Sequence, residues 1–187
     1  MTNKNFDLEG RTALITGAAG LLGLEHSCAL LESNCNLVLT DIDFDQLILA
    51  KENLESIYSQ KNIHLYKLDV TSKKSILEVR NSLLESGIDI NILINNAALN
   101  PKVEKDSNLK SSSRLESLSL EDWNLEISIG LTGAFLCSQA FGSEMANSSK
   151  GGCILNIASD LSVISPDQRL YKEDGLSDDE QPVKPVT

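Results

Sequence analysis

An α/β fold built on a doubly wound parallel sheet is the architecture this sequence predicts. Two observations carry that prediction. Short, near-continuous apolar runs alternate with longer segments of helical period, and a glycine-spaced turn joins the first run to the first helix. Near-continuous apolar strands are buried on both faces. Strands that alternate with helices pair in parallel through right-handed crossovers.

The elements follow in order. Thr12–Thr16 predicts the first strand, and residues 21–31 the first helix. Residues 36–40 give the second strand. Residues 44–58 give the second helix, with Leu47, Ala50, Leu54 and Ile57 on one face. Residues 64–68 give the third strand. Residues 72–84 give the third helix, with Ile76, Leu83 and Leu84 inward and Thr71 or Ser72 as its cap. Residues 90–95 give the fourth strand. Residues 120–145 predict one long fourth helix, with Trp123, Ile127, Ala134, Phe141 and Met145 near helical spacing. Trp123 shares that apolar face and is expected to pack in the core. Residues 153–158 give the fifth strand. Residues 100–119 are polar and form a long loop after the fourth strand. From Asp160 onward the patterns stop, and the polar stretch 160–187 reads as a loop or poorly ordered tail.

The turn is Thr16-Gly17-Ala18-Ala19-Gly20-Leu21-Leu22-Gly23. A strand, a glycine-rich turn and a helix start, with the acidic Asp41 further on, is the arrangement that cradles a dinucleotide. Gly17 allows the tight turn, Gly20 lets backbone approach a pyrophosphate, and Gly23 permits close helix packing. Ala19, Leu21 and Leu22 complete the cradle. The pyrophosphate would meet unpartnered N–H groups at the positive end of the helix.

Composition narrows the remaining classes. The net charge is −11, which disfavours nucleic acid and anionic membrane as partners. No uninterrupted run approaches the ~20 apolar residues of a membrane span, and the first residues hold no apolar signal region. The four cysteines, Cys28, Cys35, Cys137 and Cys153, form no Cys-x-x-Cys pair. No disulfide framework or metal site is expected, and a reducing cytoplasm fits best. His26 and His64 read as packing residues of a helix and a strand.

Taken together, several segments resemble the short-chain dehydrogenase/reductase family. They are Gly10-Arg11-Thr12-Ala13-Leu14-Ile15-Thr16-Gly17, Asp41, Leu68-Asp69-Val70-Thr71, Ile94-Asn95-Asn96-Ala97-Ala98, Leu131-Thr132-Gly133-Ala134-Phe135 and Asn156-Ile157-Ala158-Ser159. The resemblance implies a Rossmann-type sheet of order 3-2-1-4-5 with further strands normally beyond the fifth. It implies a cofactor-binding domain over residues 1–159, incomplete at its end. It places Asp41, with Ile42 beside it, on the adenosine ribose, Asp69 and Val70 against the adenine, and Asn96, Ala97 and Ala98 along the central crevice. Asp69 as a helix cap and Asn96 as a turn former are the structural alternatives. A carboxylate accepts ribose hydroxyls and repels a 2′-phosphate, and residues 16–23 hold no Arg or Lys, so NAD is favoured over NADP. Ser159 matches the family's catalytic serine, unless it merely ends the fifth strand.

Departures from the family pattern are equally specific. Gly-x-x-Gly-x-x-Gly resembles a branch that often handles nucleotide-linked sugars, whereas Asn-Asn-Ala-Ala resembles the single-domain branch. Gly130 stands where the family usually has an asparagine. None of the three tyrosines has a lysine four residues on, since Asn62, Val70 and Gly175 occupy those places. The expectation is an NAD-dependent oxidoreductase transferring hydride between nicotinamide and a secondary alcohol or ketone, with a sugar or sugar derivative among the candidates. The intact protein would be a cytoplasmic homo-oligomer acting on a small molecule, and this chain alone would be catalytically incomplete. The alternative is a non-catalytic nucleotide-binding protein.

Overall fold

A computed structural model describes residues 6–58, 62–99, 115–116, 118–160, 163–165, 167–178, 181 and 183. The chain divides into two compact units, one of Met1–Ala98 with Ile129–Ile157 and one of Leu99–Ser128 with Ala158–Thr187.

The first unit holds a five-stranded parallel sheet. Its elements are β1 (Thr12–Thr16), α1 (Leu21–Glu32), β2 (Asn36–Asp41), α2 (Phe44–Ile57), β3 (Ile63–Lys67), α3 (Lys73–Glu85), β4 (Ile92–Asn95) and β5 (Cys153–Asn156). The strand order is β3-β2-β1-β4-β5, as the family resemblance implies. β1 runs beside β2 with Leu14 opposite Val38, and beside β4 with Leu14 opposite Leu93.

Side-chain alternation along β1 splits the core in two. Leu14 points into a cluster with Val79, Leu83, Leu93 and Phe141. Ala13 and Ile15 point into the opposite cluster with Leu31, Leu47, Leu54 and Ile94. All five residues of β1 are buried, so its apolar run serves both faces. Each fully buried Leu or Ile contributes roughly 1.5–3 kcal/mol of transfer free energy.

The predicted fourth helix is three successive pieces. α4 (Leu120–Ile127) belongs to the second unit. A π-helical turn, Ser128–Thr132, follows, and then α5 (Gly133–Asn147). α5 packs on α3, β4 and β5, burying Gly133, Cys137, Ala140, Phe141 and Met145. Together these pieces are 28 residues long with a mean hydropathy of 1.2 in an 18-residue window, enough to cross a membrane by length and composition. The stretch carries Glu121, Asp122, Glu126 and Glu144, so it holds no continuous apolar run of that length. On α5, Cys137, Ala140, Phe141 and Met145 serve the sheet's core, while Phe135 is 60% exposed.

Three expected core residues prove to be exposed. Ile57 is 61% exposed, Leu84 47% and Trp123 44%. Ile57 is the last residue of α2 and Leu84 the penultimate residue of α3, where the inward stripe rotates off the sheet. Val79, which the periodicity passed over, takes the inward place on α3. The third helix is capped by Ser72, whose side chain accepts from Ser75 N–H. Cys137 is buried, and burial pushes its thiol up to about 12. It stays protonated near neutrality and acts as a small apolar residue.

In the second unit, Ser119 caps α4 by accepting from Asp122 N–H, and Glu121 and Asp122 occupy the first turn, where carboxylates suit the helix dipole. A 3-10 turn, Gln168–Tyr171, lies within the segment expected to be a tail. Buried Gln181 closes a loop there, accepting from Glu173 N–H at 2.8 Å and donating to Leu176 O at 2.8 Å. Most of the expected 100–119 loop lies outside the described residues.

Two glycines on this helical stretch should respond oppositely to alanine. A Cβ on Gly133 would stand 2.9 Å from Val70 Cβ and Cγ2, whereas one on Gly130 would meet nothing within 4 Å. Gly133→Ala should destabilise by about 1–3 kcal/mol through overpacking. Gly130→Ala should stabilise by up to about 1 kcal/mol through helix propensity. Paired thermal unfolding checks this; equal shifts of the same sign would show that Val70 yields freely.

Candidate functional site

The carboxyl ends of β1 and β4 meet where the chain's winding reverses direction, the place where ligands bind in open α/β sheets. A reciprocal clamp joins them. Thr16 Oγ1 accepts from Asn96 N–H at 3.0 Å and from Ala97 N–H at 3.1 Å. Asn96 Nδ2 donates back to Thr16 O and Gly17 O, each at 3.0 Å. Thr16 is 1% exposed, so these bonds replace water that cannot reach it. The sequence reading passed over Thr16 as a site residue; a hydroxyl ending an apolar strand just before glycine was the available signal.

Gly17 opens the turn at φ 63°, a left-handed conformation, and a Cβ there would stand 2.9 Å from Ala97 Cα. Gly17 thus answers both to backbone conformation and to the neighbouring strand. Gly20 is the N-cap of α1 and supplies no side-chain cap bond. The first amides of the helix, at Leu21, Leu22 and Gly23, precede the point where intrahelical bonding begins. A Cβ on Gly23 would lie 2.5 Å from Gly17 O. Gly23 therefore lets the helix close onto its own turn, rather than onto the strand alone.

Asp41 ends β2 and faces this turn. Its Oδ2 accepts from Ala19 N–H at 3.1 Å and its Oδ1 from Asp43 N–H at 3.1 Å. Ala18 N–H donates to Thr40 O at 3.0 Å, a second tie between turn and strand. Ile42 beside it is 62% exposed. Asp69 Oδ1 accepts from Thr71 N–H at 2.9 Å and from Thr71 Oγ1 at 2.7 Å, forming an Asx-type turn ahead of α3 rather than the helix cap. The Val70 side chain is buried against Gly133. Ala98 is exposed.

Asn95 is a further polar residue that the sequence left unassigned. Only 6% exposed, it donates from Nδ2 to Asn156 Oδ1 at 2.7 Å and to Ser138 Oγ at 3.1 Å. Its backbone carbonyl accepts from Ile157 N–H at 3.0 Å. Consecutive asparagines therefore serve opposite neighbours, Asn96 toward β1 and Asn95 toward β5 and α5. Ser159 lies in the second unit, exposed, with its Oγ donating to Asp160 Oδ1 at 3.2 Å.

The family model for short chain dehydrogenases matches residues 11–171. This chain belongs to that family. Among curated relatives, the D-threitol dehydrogenase of Mycolicibacterium smegmatis is 28% identical over 167 residues, covering 89% of this chain and 59% of that protein. The NAD-dependent glycerol dehydrogenase of Listeria innocua is 30% identical over 168 residues, covering 90% of this chain and 60% of that protein. A crystal structure of NAD+-bound xylitol dehydrogenase superposes with a TM-score of 0.72 at 25% identity, covering 84% of this chain and 56% of that one. The chain thus spans under two thirds of the length of these short chain dehydrogenases.

The clamp sets an expectation for Asn96→Asp. The variant replaces an amide donor with a carboxylate facing two carbonyls, and losing such a partner costs about 1–3 kcal/mol, more with charge involved. Repulsion would raise the carboxyl's folded-state pKa above its unfolded value. The penalty is then full at neutral pH and shrinks as pH falls through the raised pKa. Urea unfolding at neutral and mildly acidic pH is the check; an identical penalty at both would place the carboxyl away from those carbonyls.

Proposed function

We propose that this chain is the cofactor-binding part of an NAD-dependent oxidoreductase, transferring hydride between nicotinamide and a secondary alcohol or ketone. The observation that carries the reading is Asp41, held by Ala19 N–H over a glycine turn that opens α1. The residues present fit a dinucleotide. Gly20 leaves only Gly17 O, at 3.3 Å, near a notional Cβ, so its outer side is open to a pyrophosphate. The first α1 amides and the helix dipole offer donors and positive potential to the phosphates. Asp41 offers acceptors to the ribose hydroxyls and repels a 2′-phosphate, which supports NAD over NADP.

When bound, nicotinamide supplies the hydride acceptor or donor. Gly17, Ala19, Gly20, Leu21, Leu22 and Gly23 would cradle the phosphates, and Asp41 with Ile42 would hold the adenosine ribose. Asp69 and Val70 would border the adenine, and Asn96, Ala97 and Ala98 would line the crevice. Ser159 would hydrogen-bond the substrate oxygen and stabilise charge as hydride moves. A polyol or sugar derivative is the substrate class we favour, because relatives named for threitol and glycerol are 28% and 30% identical to this chain. We place the intact protein in the cytoplasm as a homo-oligomer. Four free cysteines accord with a reducing compartment.

A second reading, a nucleotide-binding protein without catalysis, draws support from Gly130 at the family's asparagine position and from the lack of a Tyr-x-x-x-Lys sequence in these 187 residues. NAD binding is common to both readings; turnover by the protein expressed from its whole gene separates them.

Asp41→Ala is the direct test. Losing hydrogen bonds to a charged group costs about 1.5–3 kcal/mol, so NAD should bind roughly tenfold to a hundredfold more weakly and NADP should be rejected less. Titration calorimetry with both cofactors measures this. Equal NAD affinity in parent and variant would remove Asp41 from the site.

A further inference from the structure

The edge where the strands begin, opposite the crevice, carries a second polar site. A cavity of about 230 Å³ there is bordered by Asn36, Asn62, His64, Asp89, Asn91 and Lys150. A neighbouring cavity of about 240 Å³ shares Asn91 and Lys150 and adds Arg11. At about 30 Å³ per water, either has room for several waters or one small solute.

Asn91 borders both cavities. It is 2% exposed. Its backbone is fully engaged, donating to Thr12 O at 2.9 Å and accepting from Cys153 N–H at 2.9 Å. Its Oδ1 accepts from Thr12 N–H at 3.1 Å. That bond fixes the amide's orientation, because flipping it would set two donors face to face. Asn91 Nδ2 is then a buried donor with no acceptor among the described residues. Buried donors are rarely left so.

The surrounding charge says what kind of acceptor fits. Arg11 Nη1 donates to Lys150 O at 2.9 Å, bringing a second cation beside Lys150. Against these two cations stands one bordering carboxylate, Asp89, which also borders the next cavity, where Arg80 lies 3.9 Å from Glu144. In a chain of net charge −11, this edge is a local positive spot. Ionised acceptors form the stronger hydrogen bonds to such donors.

We propose that this edge binds a small oxyanion, a phosphate or a compact carboxylate, with Lys150 supplying charge and Asn91 Nδ2 supplying a directed N–H. The site is separate from the glycine turn and does not depend on the cofactor assignment.

Titration calorimetry of the purified protein at low ionic strength, with inorganic phosphate in one arm and succinate in the other, tests it. Saturable binding in at least one arm is expected, and the arm that binds more tightly identifies the source. Lys150→Met should weaken it roughly tenfold or more, the worth of one charge-assisted hydrogen bond. Lys150 is exposed, so this variant leaves the core intact. Asn91→Asp keeps the acceptor for Thr12 N–H, removes the donor and adds a negative charge, and should abolish binding. Asp89→Asn should strengthen it. No binding in either arm, or binding that Lys150→Met leaves unchanged, overturns the proposal, the latter by placing the anion elsewhere, such as the α1 N-terminus.

Discussion

The geometry of the crevice depends on one reciprocal hydrogen-bonded clamp, between Thr16 at the end of β1 and Asn96 just past β4. Parallel strands pair along their length, but nothing in strand pairing fixes the path of the backbone once each strand ends. There the chain leaves β1 for α1 in one direction and β4 in another. Four hydrogen bonds from two side chains hold those departing segments together. Because Thr16 is buried, breaking the clamp would leave donors and acceptors without water to replace it. Gly17 can then take its left-handed turn against Ala97, since the clamp has already brought the two backbones within contact distance.

The three glycines of the turn were legible as a spacing, and their reasons differ. Gly17 answers to a φ of 63° and to Ala97, and Gly23 to the turn's own carbonyl. Gly20 has no comparable steric demand from the protein, consistent with a position kept small for something outside the chain. Spacing alone could not rank these demands. They depend on distances between segments far apart in sequence, such as residues 17 and 97.

Element types followed from the apolar periodicity, because a run buried on both faces reads as a parallel strand, whereas the strand order came from the family resemblance. The edges of helical faces did not. Ile57 and Leu84 satisfy a 3.6-residue repeat yet lie at or beside helix ends, where the last turn projects beyond the sheet. Trp123 fits the same repeat as Phe141, but a π-helical turn at Ser128–Thr132 separates them. One extra residue in a turn rotates everything beyond it by about 100°, so a stripe read across it cannot stay in register. Gly130 within that turn was the visible sign of a weak point in the helix. The Asn95–Asn156–Ser138 network was invisible for another reason. Asparagine near a strand end reads as a turn former, and only the pairing of β4 with β5 brings its partners alongside.

Asp41 joins the fold to the proposed chemistry. An ionised carboxylate has about four lone-pair sites across its two oxygens. In this structure one site on Oδ2 holds the glycine turn through Ala19 N–H, and one on Oδ1 holds the start of α2 through Asp43 N–H. Each oxygen retains acceptor capacity on its open side. A diol such as a ribose could therefore bind without displacing either internal bond, and the turn would not need to be rebuilt on binding. An ionised carboxylate accepts from hydroxyls and repels phosphate. On the proposed reading, holding the turn and choosing between two cofactors would both follow from one charge in one position.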